Sequence, residues 1–421
     1  MGKASDNKMK MTELGLLPED WDVRTVRDCT DVVTGATPST SVKEFWGGEI
    51  PWMSSGELNK KYIHEVEGRI TKKGYENCGT HMIPDKCVLI GLAGQGKTRG
   101  TAAYNYIPLC TNQSIGSILP KPEFDSLFLY HYLDSQYNQL RLLSAGDGGR
   151  GGLNKQLLLN IQFPFPYITE QQRIGKLLTD TDNLISGLDR VIEKKKLIKQ
   201  GTMQLLLSGR RRLKGFSKPW IELELGELGK LTGAGVDKTI NIDEKPVRLL
   251  NFLDVYNRDR IYNHELKMWV TASDYKIARC DVKQGDIFLT PSSELPNDIG
   301  RSAVAMSDME GVCYSYHVLR LRPSVELDMT YSAYMLKTAE YEEQIRFLSE
   351  GSGKRYVISL RNFRELRISI PDDIREQNAI GNVIAAMDNE IRDLEAERDK
   401  YKNIKQGMMQ KLLTGQIRLP V

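Results

Sequence analysis

The octapeptide from Gly91 to Thr98, GLAGQGKT, satisfies G-x-x-x-x-G-K-[ST], the pattern of a loop whose amides and lysine cradle nucleotide phosphates, and it follows the strand-like CVLI. Such a loop must lead into a helix, because the amides at a helix N-terminus hold the anion. Here the continuation is RGTAAYNYIP, whose glycine, aromatics and proline read as another strand. The competing reading is an exposed hairpin loop in which Lys97 and Arg99 meet something anionic. Other chemistry is sparse. The five histidines (His64, His81, His131, His264, His317) show no H-x-x-x-H or other ligand spacing, so core or solvated roles are expected and no metal site. The six cysteines contain no C-x-x-C pair, which argues against both a zinc site and a disulfide framework. Glu193-Lys-Lys195 contains an E-x-K, but on a charged helical face. Ser54-Ser55 and Ser292-Ser293 lack a partnered base. There is no methyltransferase glycine signature and no Asn/Asp-Pro-Pro-aromatic tetrapeptide. The residues point to a chain that binds and does not catalyse.

Two glycine-rich loops offer binding chemistry. SAGDGGRGG (144–152) carries Arg150, and SEGSGKRYV (349–357) carries Lys354 and Arg355 at the matching place. Glycines let backbone amides approach phosphate closely, and a guanidinium pairs bidentately with guanine O6 and N7 in the major groove. Lys97, Arg99, Arg258, Arg260 and Arg301 are further loop cations, each to be weighed against an ordinary solvated surface charge. The net charge of +3 is mild, so any basic footprint is local.

These loops must be positioned by larger elements, and the chain shows those twice. EQQRIGKLLTDTDNLISGLDRVIEKKKLIKQGTMQLLLSGRRRL (170–213) returns at 376–419 as EQNAIGNVIAAMDNEIRDLEAERDKYKNIKQGMMQKLLTGQIRL, with 21 of 44 positions identical and no gap. Both copies read as long helices with a heptad seam. In the second the seam is Ile380, Met387, Leu394, Tyr401 and Met408, with Ile384 and Ile391 beside it. In the first it is read as Leu177, Leu184, Val191, Ile198 and Leu205, with Ile174, Leu178, Ile185, Leu188 and Ile192 flanking. Ser208-Gly209 and Thr414-Gly415 mark the helix ends. Gly201 and Gly407 lie inside the helical pattern, at a cost of about 1 kcal/mol each against alanine, and suggest close helix approach or a bend.

Between these helices the residues read as mixed α/β domains. Each opens on a tryptophan (Trp21, Trp220), continues through strands and turns, and includes a helix at 126–143 or 329–348. The expected organisation is a loose N-terminus (1–16), a first domain (17–165), a long helix (166–213), a second domain (214–371) and a second long helix (372–421). Hydrophobic content of 40% and charged content of 27% suit a globular chain. No apolar run reaches a membrane span and no signal core is visible, so a reducing cytoplasm is the default. Helix one carries the chain to the second domain and helix two has only the first helix to return along. The expected pairing is antiparallel, with a pseudo-two-fold axis. A helix of about 36 residues is about 54 Å long, about one to one and a half turns of DNA at roughly 34–36 Å per turn.

This organisation, with WGGEIPW, CTNQSIG and the E-Q-x-x-I-G…K-Q-G-x-M-Q-x-L-L-x-G helices, resembles the specificity subunit of type I restriction-modification systems, across nearly the whole chain from Leu17. The resemblance implies a non-catalytic subunit with two target-recognition domains, each reading one half of a split double-stranded DNA site. The paired helices would set the spacing and dock two modification subunits. S-adenosylmethionine, ATP and Mg would sit on partner subunits, including the restriction subunits of the full assembly. The rival readings are service to a fused methyltransferase-nuclease, a nucleotide-binding protein built on Gly91 to Thr98, and a scaffold without DNA contact.

Overall fold

The computed structural model describes residues 8–94, 96–143, 152–352 and 355–419. Contacts divide the chain into two units, one of Met1–Asp189 with Ala396–Val421, the other of Arg190–Glu395. The partition does not follow chain order. Each long helix, Ile168–Leu207 and Ile374–Leu412, gives one half to each unit.

Each unit is built on a five-stranded sheet. In the first, β1 (Val32–Thr34), β2 (Tyr62–Ile63), β3 (Val88–Gly91), β4 (Ala102–Asn105) and β5 (Ile115–Ile118) run in the order β1-β5-β3-β4-β2. In the second, β6 (Gly229–Thr232), β7 (Arg260–Ile261), β8 (Ile287–Leu289), β9 (Ser302–Ala305) and β10 (Leu319–Pro323) run β6-β10-β8-β9-β7. The order is the same, and so is every sense: all neighbours are antiparallel except the parallel pairs β2/β4 and β7/β9. Central β3 and β8 are buried throughout, which is why VLIG and IFL are continuous apolar runs without alternation. A second, smaller sheet packs in each unit, around Trp46–Met53 and around Lys245–Leu250.

A two-stranded ribbon feeds each long helix. Asp22–Thr25 pairs with Gln162–Phe165, and Trp220–Glu224 with Arg367–Pro371. The repeated E-Q-x-x-I-G then has a physical explanation. The Gln171 side-chain amide donates to the Pro166 carbonyl at 2.8 Å and accepts from the Asp125 amide at 2.9 Å; Gln377 does the same with Pro371 and Asp328 at the same distances. A Cβ on Gly175 would stand 2.8 Å from the Phe128 amide nitrogen, and one on Gly381 2.6 Å from that of Tyr331, so glycine lets each helix touch the backbone of its domain. Buried Glu170 takes the Trp21 indole N–H at 3.2 Å and the Arg418 guanidinium, and buried Glu376 takes Arg212 at 2.8 and 2.5 Å. Left-handed Gly209 and Gly415 (φ +69° and +65°) end the helices and return these arginines.

Within each unit the two helix halves run antiparallel. Asp182 meets Lys405 at 2.6 Å and Asp189 meets Arg398 at 3.3 Å in the first. Lys195 meets Glu390 at 2.5 Å and Lys199 meets Asp388 in the second. The seam of the first helix differs from the sequence expectation by one residue. Buried Ile174, Leu178, Ile185 and Ile192, with half-buried Leu188, Lys195 and Lys199, face the partner helix and the domain, whereas Leu177, Leu184, Val191, Ile198 and Leu205 are 36% to 45% exposed. The inner column also holds Lys195 and Lys199, whose ammonium groups pair across the helices with Glu390 and Asp388. On the second helix Ile380, Ile384 and Ile391 are buried, and Met387, Leu394, Tyr401 and Met408 half-buried. Gly201 and Gly407 have no atom within 4 Å of an added Cβ, so the expected close approach is absent there.

Candidate nucleic-acid interface

The β3–β4 and β8–β9 hairpins carry their tips to the same end of each sheet. In the first, the Gly91 amide donates to the Thr101 carbonyl at 3.0 Å and the Gly100 amide returns to the Gly91 carbonyl at 2.9 Å. The GLAGQGKT stretch is therefore the tip of an antiparallel hairpin. A strand follows it and no helix, so the dipole and amides a phosphate loop needs are missing. Its backbone is held by Arg141, donating to the Gly96 carbonyl at 2.7 Å, and by the Tyr137 hydroxyl, donating to the Lys97 carbonyl at 3.2 Å. The Lys97 side chain is left exposed and Arg99 half-buried.

The second hairpin repeats the device. The Gly300 amide donates to the Thr290 carbonyl at 2.9 Å, and the Tyr341 hydroxyl holds the Gly300 carbonyl at 3.2 Å. Gly100 and Gly300 both have left-handed φ (+80° and +75°), and both lie against the domain helix, Tyr137–Leu143 or Ala339–Leu348.

Further loops join each tip. In the first unit the Leu92 amide donates to Ser114 and its carbonyl accepts from Leu153, while the Thr37 hydroxyl donates to the Gln113 side chain at 2.6 Å. In the second, Ser292 and Ser293 pair with Val357 and Tyr356, and Arg355 donates to the Ser292 hydroxyl at 2.8 Å. Val236 is hydrogen-bonded to both Tyr314 and Tyr316, and the Tyr316 and His317 rings lie 3.8 Å apart. Partial burial, with Lys238 and Arg355 nearby, holds the His317 imidazole below its ordinary pKa. Each loop end thus offers cations and hydroxyl or amide groups on a framed backbone, which is the equipment for phosphate contact and base-edge hydrogen bonding.

The model of the family described as type I restriction modification DNA specificity domain matches residues 18–196 and again 217–405. The chain belongs to that family. It is a DNA-specificity subunit of the type I restriction-modification class, and the two matches coincide with the two copies of the fold. It is 35% identical over 190 residues to the type I restriction enzyme MjaIX specificity subunit of Methanocaldococcus jannaschii, a match covering 43% of this chain and 42% of that relative's length. It is 24% identical over 420 residues to the MjaVIII specificity subunit of the same organism, covering 96% and 94%. The crystal structure of the type I S subunit from M. genitalium shares the fold, with a TM-score of 0.57 at 16% identity, over 93% of this chain and 96% of that one.

In this specificity subunit Lys97 and Arg99 stand at the tip of one loop end and Arg355 at the other. Arg150 and Lys354 lie outside the described residues. Arg258, Arg260 and Arg301, the last next to Gly300 in the β8–β9 hairpin, line a cleft of about 630 Å³ in the Arg190–Glu395 unit that is also lined by Lys199 and Asp388 of the long helices. Arg258 is taken up by Asp254 at 2.7 Å and Glu265 at 3.5 Å, and Arg260 donates to the Tyr334 hydroxyl at 2.8 Å. Arg301 lies over the Tyr256 ring with Asp298 at 3.7 Å. The first two therefore fasten the domain to its own parts. Sequence analysis did not single out Gln113, Tyr316 and His317, which stand at the loop ends. The signal was present, since CTNQSIG and CYSYHVL align at an offset of 203 and the divergent turn of each sits at the loop end. Among the described residues no group of three or more His, Cys, Asp or Glu is placed to hold a metal ion, and no helix is long and apolar enough to cross a membrane.

Proposed function

We propose that each loop end reads one half of a split site in double-stranded DNA, with Lys97 and Arg99 serving one half and Arg355 and Lys238 the other. The observation that carries this is the pairing of identical strand order with divergent tips: the frame is duplicated, while the side chains it presents are not. A frame that holds two different surfaces suits two different sequences. The subunit does no chemistry itself. Modification subunits that bind S-adenosylmethionine methylate adenine, and restriction subunits using ATP and Mg complete the assembly.

The long helices set the gap between half-sites and dock two modification subunits. The exposed apolar column of the first helix, Leu177 and Leu184 in one unit and Val191, Ile198 and Leu205 in the other, supports the docking role, because a heptad-spaced apolar stripe in water is stabilised by a covering helix. Mapping methylated adenines in DNA from cells carrying the whole system tests the reading. A split motif is expected, with Arg99→Ala relaxing or weakening one half only. A continuous motif, or equal effects on both halves, would count against it.

A further inference from the structure

We infer that Tyr62 and Tyr334 are positioning residues: by locking each domain onto its helix halves at Asp182 and Asp388, they hold the gap between half-sites to a single number of base pairs. The inference rests on the reading that the long helices set that gap. The helices carry a reciprocal charge contact. Asp182 of the first helix meets Lys405 of the second at 2.6 Å, and Asp388 of the second meets Lys199 of the first. The repeat offset of 206 carries Asp182 onto Asp388 and Lys199 onto Lys405, so one interaction is made twice, once in each unit. The four side chains are only 15% to 26% exposed, which shields the contact from water.

Into each contact the domain sends a phenol. The Tyr62 hydroxyl donates to Asp182 Oδ2 at 2.8 Å, and the Tyr334 hydroxyl to Asp388 Oδ2 at 2.6 Å. The two phenols come from different places in the fold. Tyr62 opens β2, whereas Tyr334 lies in the turn after the helix Met329–Ser332. Their counterparts in the other unit are not tyrosines. Arg260, which opens β7, donates to the Tyr334 hydroxyl at 2.8 Å. His131, 203 residues before Tyr334, is hydrogen-bonded through Nε2 to the Thr179 hydroxyl at 2.9 Å. The same three-way junction of two helices and a domain is thus reached by two routes.

The junction has leverage because of where it stands. Each domain already touches its helix near the helix start, through Gln171 and Gly175 or Gln377 and Gly381. One contact leaves a pivot. Asp182 lies 11 residues beyond Gln171, and Asp388 lies 11 beyond Gln377, about 16 Å further along at 1.5 Å per residue. Two contacts that far apart fix the angle at which the domain stands. A gap one base pair too long or too short displaces a half-site by about 3.4 Å and turns it by about 34°. To engage it, the DNA must deform or a domain must leave its seat. Leaving the seat breaks a hydrogen bond to a carboxylate, which is worth about tenfold in an equilibrium. A chain without the hydroxyl does not resist in this way.

The test is methylated-adenine mapping in cells carrying the whole system, on targets that keep both half-sites and have the native gap or one base pair more or less. Tyr62→Phe combined with Tyr334→Phe should keep both half-site sequences and modification at the native gap. Modification at the two altered gaps, relative to the native one, should rise about tenfold. The single variants should each show part of that rise, and they carry the comparison if the double variant fails to fold. Leu158→Ala is the control for plain loss of stability, since its side chain is buried in the first domain against Gly116. It should lower modification at all three gaps alike. Gap preference unchanged in the phenylalanine variants, or loosened equally by Leu158→Ala, overturns the inference and leaves the helices standing as a spacer. A native gap retained when both helices are shortened overturns the spacer reading itself, and the inference with it.

Discussion

Arg418 closes the first unit from a position 248 residues beyond the glutamate it meets, and Arg212 does the same for the second unit from 164 residues before its own. A carboxylate buried this deeply is costly once its cation is removed. Arg418→Ala is expected to destabilise by about 3 kcal/mol, read as a lower melting temperature, because Glu170 would then keep only the Trp21 indole. Asp20 adds a pH signature. Arg418 holds its carboxyl below the ordinary 3.8, so the contribution is fully present above that value and is lost as acid protonates the group. Charge reversal of Arg418 should abolish this acid-side dependence. Lys97→Ala belongs to the same scale: exposed and unburied, it should weaken DNA binding across sequences and lower the slope of log affinity against log salt by about 1. The repeat displayed the matching positions of Glu170 and Glu376 plainly but gave no sign of which arginine each would meet, because a contact over such separations is set by the fold.

At the scale of elements, glycines separate into two kinds that sequence alone treats alike. Gly175 and Gly381 touch domain backbone, so Gly175→Ala and Gly381→Ala should destabilise the chain, as should Gly300→Ala, whose Cβ would fall 2.7 Å from Ile345 Cδ1 in a left-handed backbone. Gly201 and Gly407 meet nothing, and Gly201→Ala or Gly407→Ala should stabilise the isolated chain by up to about 1 kcal/mol in thermal melts. A loss of stability there would mean these glycines work inside the helix pair after all. The long helices and their ends were legible from heptads and glycine stops. The seam of the first helix was not, because period alone favours the most apolar column, and that column is the exposed one. Carrying Ile380 and Ile384 back by the repeat offset of 206 lands on Ile174 and Leu178, the correct face. Duplication was a better guide to register than hydrophobicity. The strand order of each sheet was beyond reach, since parallel β2/β4 and β7/β9 are joined through crossovers that leave no periodic trace.

For the molecule as a whole, the informative fact is that neither unit is a continuous stretch of sequence. Residues 396–421 complete the first and residues 190–213 lie in the second, so both units are made from both long helices. Domain boundaries drawn along the chain could not express this, although the repeat that causes it was visible. The sharing also gives the spacing proposal its consequence. Shortening each long helix by one heptad removes about 10.5 Å, or about 3 base pairs. The most direct test is methylated-adenine mapping in cells that carry the whole system with both helices shortened in this way. The account predicts that both half-site sequences persist while the gap between them contracts by about 3 base pairs; an unchanged gap with both half-sites still read would contradict it.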